Sequence, residues 1–317
     1  MLRSLSTAVS GLDTEQTAMD ITGNNIANAS TTGFKSTDVQ FGSLLSQVIT
    51  DGTVPNASAA AGGSNPQAVG LGVGIAGMNQ QMGQGSIEET GVPTDLALQG
   101  NGFFLLSSGQ GDFLSRAGDM QLDADGHLVE GATGWTVQGW SALTNPPTNP
   151  PSLNNWTTPT PTLVNTTTGF GNITIPSQIQ GNGNQGTTAG TTYSLQSFAI
   201  NADGTVTGVY AATTAGTTTT VSVTLGQIAV AAVPNPGGLI PAGNTAYTVG
   251  PNAGAPYYSV PGDNGVARIT AGALEMSNVN LAQEMSNLVT FEAGYQADAK
   301  VISTAQQLIQ ALLAMKQ

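Results

Sequence analysis

The chain has 317 residues, of which 8% are charged and 5% aromatic, with 42 Gly, 16 Pro and no Cys, and its formal net charge is −13 with 6 Lys and Arg against 19 Asp and Glu. That balance leaves no basic face to neutralise phosphates, which argues against nucleic acid and anionic membrane surfaces, and the lack of Cys excludes disulfides, thiolate chemistry and Cys-ligated zinc. So much Gly and Pro favours turns and thin β-rich domains over one dense core, and the length suggests about two domains.

At the N-terminus Ser4, Ser6, Thr7, Ser10 and Asp13 interrupt any apolar run, so no Sec-type signal peptide is expected. Leu5, Val9, Leu12, Met19 and Ile26 fall on a 4-3 spacing once Gln16 and Gly23 fill the gaps, which is the heptad seam of a coiled coil. The helical pattern then runs into ITGNNIANASTTGFKS at 21–36. Asn24, Asn25 and Asn28 are suited to satisfying the backbone groups freed there, and Gly33 to a turn closed to other residues.

The middle of the chain reads as β. GVGIAG at 72–77 is formally G-x-G-x-x-G, but no helical stripe follows it, so a Gly-rich β segment is preferred to a nucleotide site. LALQGNGFFLL at 96–106 is followed by two strand-like runs flanking Asp125-Gly126, a hairpin signal. LDADGHL at 122–128 recurs as INADGTV at 200–206, so one β unit is used twice. The segment from about 141 to 193, rich in Pro, Asn and Thr, reads as an inserted outer subdomain. The longest apolar run, Ile228 to Val233, is too short to span a bilayer.

At the C-terminus Leu281, Met285, Leu288, Tyr295, Ala299, Ile302, Ile309 and Leu313 form a second heptad seam, interrupted by Glu292 and Gln306. Asn280 is the expected N-cap, with Gln283 completing a capping box. Val289, Phe291, Val301, Leu308 and Leu312 add a second apolar stripe, so this helix needs more than one neighbour.

Catalytic and metal chemistry lack raw material. Asp123, Asp125 and Gly126 fall short of an EF-hand loop, which needs a further ligand before the Gly and a Glu at its twelfth position. His127 is the one histidine and reads as a strand residue beyond the turn. There is no G-x-S-x-G elbow and no H-E-x-x-H, so neither an enzyme, a metal site nor a cofactor is expected.

AVSGL at 8–12, GNNIAN at 23–28 (Gly23, Asn24, Asn25, Ile26, Ala27, Asn28) and TGFK at 32–35 (Thr32, Gly33, Phe34, Lys35) resemble the N-terminal signature of the bacterial flagellar rod and hook family. TDLALQGNGFF at 94–104 and the stretch 270–313 continue the resemblance. Within that family the segment 225–256 looks like that before the C-terminal helix of hook members, which favours hook over distal rod; a long insertion around 36–70 would favour a rod.

The resemblance implies an α+β multidomain axial protein that polymerises into a curved helical tube, a universal joint passing torque from rod to filament. Paired N- and C-terminal helices would form a coiled-coil inner domain, packing on each other and on neighbouring copies, with mainly-β middle domains outside. The expected division is 1–30 as N-terminal helix, 31–70 as connector, 71–140 and 196–272 as halves of a β domain, 141–195 as the inserted subdomain and 273–317 as C-terminal helix. Phe34 is expected to anchor the exit of the chain from the helix. Expected partners are further copies of the chain, the flagellar rod, hook cap, hook–filament junction and length-control proteins and the type III export apparatus. The location is the extracellular flagellum, reached without a cleaved signal or membrane insertion. From another class, a secreted β-rich adhesin or carbohydrate-binding module shares the Gly/Thr/Asn composition but has no reason to carry heptads at both ends.

Overall fold

A computed structural model describes residues 2–54, 63–142, 169–181, 183–214 and 217–315. The chain divides into two compact units: unit 1 comprises residues 1–29, 36–81 and 279–317, and unit 2 comprises 30–35 and 82–278. It therefore passes between the units at four places, and residues 30–35 form a short excursion into unit 2.

Unit 1 is built on α1 (Leu2–Ala27), two nested β ladders and α2 (Leu281–Ala314). β1 (Thr37–Ser43) pairs antiparallel with β4 (Val73–Gln80), and inside them β2 (Ser46–Thr50) pairs antiparallel with β3 (Gln67–Gly70). This ribbon replaces the connector expected over 31–70, and it claims 71–81, which the sequence reading assigns to the β domain. An isolated two-stranded ladder is marginal in water. The outer ladder is supported by α1, which packs on β1 and β4.

The helices follow local rules. Asn280 caps α2, its Oδ1 accepting from the backbone N–H of Ala282 at 3.1 Å and Gln283 at 3.3 Å. The reciprocal half of the expected capping box is replaced: Gln283 turns its amide forward and donates to Asn287 Oδ1 at 3.0 Å. At the end of α1, Asn28 donates both its backbone N–H and its Nδ2 to the carbonyl of Asn24.

Unit 2 begins with β5 (Ile87–Glu89), β6 (Leu96–Gln99), β7 (Phe103–Ser107), β8 (Asp112–Ser115), β9 (Met120–Leu122), β10 (Leu128–Glu130) and β11 (Thr136–Ser141). It continues through β12 (Gly171–Asn172), β13 (Gln178–Gln180), β14 (Thr192–Ile200), β15 (Thr205–Thr214), β16 (Thr217–Ile228) and β17 (Val230–Ala232). β18 (Ile240–Gly243), β19 (Ala246–Thr248), β20 (Tyr257–Ser259), β21 (Arg268–Ala271) and β22 (Ala273–Glu275) complete it. The main sheet follows the path β13-β14-β15-β16-β11-β7-β8-β19-β18, while β21 pairs with β6 and β22 with β5.

The unbroken apolar run of β7 has a direct cause. Successive residues of a strand face opposite sides. Phe104 and Leu106 enter one core with Leu98, Met120, Leu128 and Val206, whereas Phe103 and Leu105 enter another with Leu114, Tyr247 and Tyr258. A strand buried on both faces needs apolar residues at every position.

The repeated D/N-A-D-G motif makes the same turn twice. Asp123 N–H donates to the His127 carbonyl and Gly126 N–H to the Asp123 carbonyl; Asn201 and Gly204 repeat the pattern with Thr205 and Asn201. Gly126 and Gly204 take φ of 82° and 79°, which favours Gly. GVGIAG lies at the loop before β4 and along it, with no helix following. The inserted subdomain expected over 141–195 falls partly outside the described residues. Its described part, 169–181 and 183–195, belongs to the main sheet and supplies Ile173, Ile175, Ile179 and Tyr193 to the core.

Candidate functional site

In unit 1, α1 and α2 pack against each other. They run antiparallel, since Asn25 meets Glu284 near one end while Gly11 approaches Asp298 toward the other. The buried stripe of α1 consists of small or polar residues: Ala8, Gly11, Thr14, Ala18, Thr22 and Asn25. Thr14 returns its hydroxyl to the carbonyls of Ser10 and Gly11 at 2.9 and 2.8 Å, leaving no unpaired polar atom. On α2, Glu284 and Ala305 are buried, with Leu288, Phe291, Gly294, Asp298, Ile302 and Ile309 partly so on the same face.

This seam is displaced from the expected heptads. Leu5, Leu12, Met19, Ile26, Leu288, Ile302 and Ile309 are partly buried, while Val9, Leu281, Met285, Tyr295 and Leu313 are exposed. Small residues let backbones approach closely and push larger side chains to the flanks. Apolar periodicity alone cannot distinguish these two arrangements.

The GNNIAN stretch supplies a tie within unit 1. Asn25 is 2% exposed; its Nδ2 donates to the Thr37 carbonyl at 3.0 Å and to Glu284 Oε1 at 3.1 Å, while its Oδ1 accepts from Thr37 N–H at 3.1 Å. One side chain thus joins α1, β1 and α2. Gln81 N–H donates to the Ser36 carbonyl at 2.8 Å, and Gln81 Nε2 to Asp38 at 2.6 Å, holding the ends of the ribbon together. Gly23 and Asn24 are exposed, and Ala27 is exposed at the helix end.

The TGFK stretch belongs to unit 2, and its decisive residue is Lys35. Its side chain is fully buried; Nζ donates to Glu275 Oε1 at 2.6 Å and to the Gly83 carbonyl at 2.8 Å. Glu275 Oε2 accepts from Arg116 Nη1 at 2.9 Å, and Oε1 also accepts from Gly85 N–H at 2.9 Å. The Glu275 carbonyl accepts from Gly33 N–H at 2.8 Å. Arg116 donates in addition to the Gly100 carbonyl at 2.8 Å and lies over the Phe103 ring. Burial lowers the Lys35 ammonium from its ordinary pKa, and the bond to Glu275 opposes that shift.

Two glycines let the backbone close around this cluster. Gly33 has φ of 69°, and a Cβ there would come within 2.6 Å of Ala117 N; a Cβ on Gly85 would come within 2.0 Å of the Met276 carbonyl oxygen. Asn278 Nδ2 donates to the same Gly83 carbonyl at 3.1 Å, and Asn278 N–H to the Phe34 carbonyl at 3.4 Å. Three separate passages of the chain, 33–35, 83–85 and 275–278, are thus bound around one carboxylate. Phe34, expected as the anchor, is only partly buried, as is Thr32; a carboxylate below Lys35 makes the lysine the anchor instead.

Glu275, Arg116, Gly83 and Glu284 went unpredicted. The available signal was scarcity: with 6 Lys and Arg in the chain, a lysine directly after Gly-Phe in a turn is an unusual expenditure of charge. Asp123, Asp125 and His127 bring one ligand atom each within 4.8 Å of one another. Asp123 Oδ1 accepts from the N–H of Asp125 and His127, and His127 Nδ1 lies 2.8 Å from Thr174 Oγ1, so local turn bonds account for the grouping.

Three family models match this chain: residues 5–35 match "Flagella basal body rod protein", 97–208 match "Flagellar hook protein FlgE/F/G D1 domain" and 270–315 match "Flagellar basal body rod FlgEFG protein C-terminal". Among curated relatives, the basal-body rod protein FlgG of Bacillus subtilis is 32% identical over 319 residues, with all of both chains covered. The chain belongs to the flagellar hook and rod family. The hook protein FlgE of Borreliella burgdorferi is 28% identical over 450 residues, again covering all of both chains. The hook protein of Helicobacter pylori is 45% identical over 142 residues, 44% of this chain and 20% of the relative.

Membership in the hook and rod family makes this chain a structural subunit of the flagellum. Each matched segment contributes one member of the buried cluster: Lys35 closes the first, Arg116 lies in the second and Glu275 in the third. Among the described residues no helix is long and apolar enough to cross a membrane.

Proposed function

We propose that this chain is a hook subunit that assembles with copies of itself into a flexible curved tube passing torque from rod to filament. The observation that carries this reading over a rod subunit is the 45% identity over 142 residues with a Helicobacter hook protein, against 32% with the Bacillus rod protein. Copies of the chain cover the apolar surface that unit 1 leaves in water: Leu45 on the ribbon is 80% exposed, Val54 86%, and Val289 on α2 65%. Apolar residues grouped this way mark association surfaces. The rod, cap, junction and length-control proteins and the type III export apparatus are the further partners of this reading, and the extracellular flagellum its location.

A distal rod subunit is the second reading. It is favoured by the rod alignment, which runs over 319 residues for a chain of 317, whereas the Borreliella hook alignment runs over 450. The nested ribbon of β1–β4, in the segment where an insertion would favour a rod, points the same way. Electron microscopy of polymer grown from the purified chain separates the readings: curved tubes that change curvature support the hook, and straight rigid rods overturn it.

A further inference from the structure

α1 and α2 come closest where each carries a glycine. A Cβ on Gly11 would lie 2.0 Å from Asp298 Oδ2, and a Cβ on Gly294 would lie 2.8 Å from Glu15 Oε1. Each carboxylate therefore rests on the bare backbone of the opposite helix, Asp298 over Gly11 and Glu15 over Gly294. Glu15 Oε2 is buried there without a hydrogen-bond partner. Two like charges meet inside a helix pair with one carboxylate oxygen cut off from water.

We propose that Glu15 and Asp298 form an acid-responsive lock between α1 and α2: ionised, the two carboxylates oppose the close approach of the helices, and uptake of one proton by the pair releases that opposition. The other elements packed on α1 offer no compensating cation. β4 carries no titratable residue, and β1 carries only Asp38, which is bonded to Gln81. Along the helices Asp13, Asp20, Glu292 and Lys300 are exposed, and Glu284 is bonded to Asn25.

Burial first and Asp298 second raise the Glu15 pKa above its ordinary value. The paired helices therefore hold a proton that separated helices release. Pairing is unopposed below the ordinary glutamate range and loses stability as pH rises through the raised Glu15 value. The lock operates equally in a hook or a rod subunit.

Thermal melts of the full chain, followed by helical circular dichroism at several pH values from about 5 to 8, test the idea against Glu15→Gln. Glutamine keeps the shape and removes the charge. The variant should melt about 2–4 °C above the wild type at the alkaline end and show a flatter dependence on pH. An unchanged slope, or a variant that melts at or below the wild-type temperature there, overturns the proposal. Asp298→Asn provides the same comparison from the other helix, and a wild-type slope in that variant is equally fatal to it.

Discussion

Glu275 accepts from a lysine, an arginine and a backbone N–H through its side chain, and from Gly33 through its carbonyl. Taking three ionised groups out of water is expensive, and an apolar cluster of the same volume is often no less stable. What the ions supply is direction, since each bond admits only one partner geometry. Glu275→Gln should destabilise unit 2 by about 3–5 kcal/mol, because it leaves the buried Lys35 and Arg116 without their counter-charge. Urea unfolding followed by tryptophan fluorescence measures this, as Trp135 and Trp140 both lie in unit 2. Lys35→Met should cost less, about 1–3 kcal/mol, since Glu275 keeps Arg116 and the Gly85 N–H. Equal losses in the two variants would show that Glu275 is not the hub. The residues of this cluster were only half legible. Lys35 stands out by type and place, but Glu275 lies 240 positions away and no local pattern links the two.

At the scale of elements, local signals translated well. The Asn280 cap, the helices at both ends and the two Asp-Gly turns depend on backbone bonds closed within a few residues. The face that a helix buries does not. On α1 the buried stripe runs through Ala8, Gly11, Ala18 and Thr22, because close approach selects small residues over the leucines a heptad count selects. The segment 171–193 shows the same limit. Its composition reads as an appendage, yet β12 pairs with β11, and Ile173, Ile175, Ile179 and Tyr193 are core residues. Deleting 171–193 should therefore unfold unit 2, seen as loss of near-ultraviolet circular dichroism. A variant that retained native tryptophan signals would restore the appendage reading.

For the whole molecule, the four chain passages between units separate two kinds of stability. Unit 2 has its own apolar core on both faces of β7, each fully buried Phe or Leu contributing about 1.5–3 kcal/mol. Unit 1 relies on one helix pair and a ribbon, with Met285, Val289, Leu308 and Leu312 left exposed on α2. Ordering that surface is a cost that association repays. Removing 281–317 should leave unit 2 folded, with native tryptophan fluorescence, and abolish polymerisation in sedimentation and electron microscopy. Tubes formed by the shortened chain would place the association surface elsewhere.

The sequence by itself determined that both ends are helical, that the middle is β and that the chain is a flagellar axial subunit, because helix periods, turn glycines and family motifs are written in short runs of residues. The tertiary structure alone decided that Lys35 rather than Phe34 anchors the connector, that β4 joins β1 in unit 1, and that two carboxylates meet over Gly11 and Gly294. Those outcomes depend on groups far apart in the chain competing for one buried place. Charge compensation and close packing settle that competition, and neither has a period in the sequence.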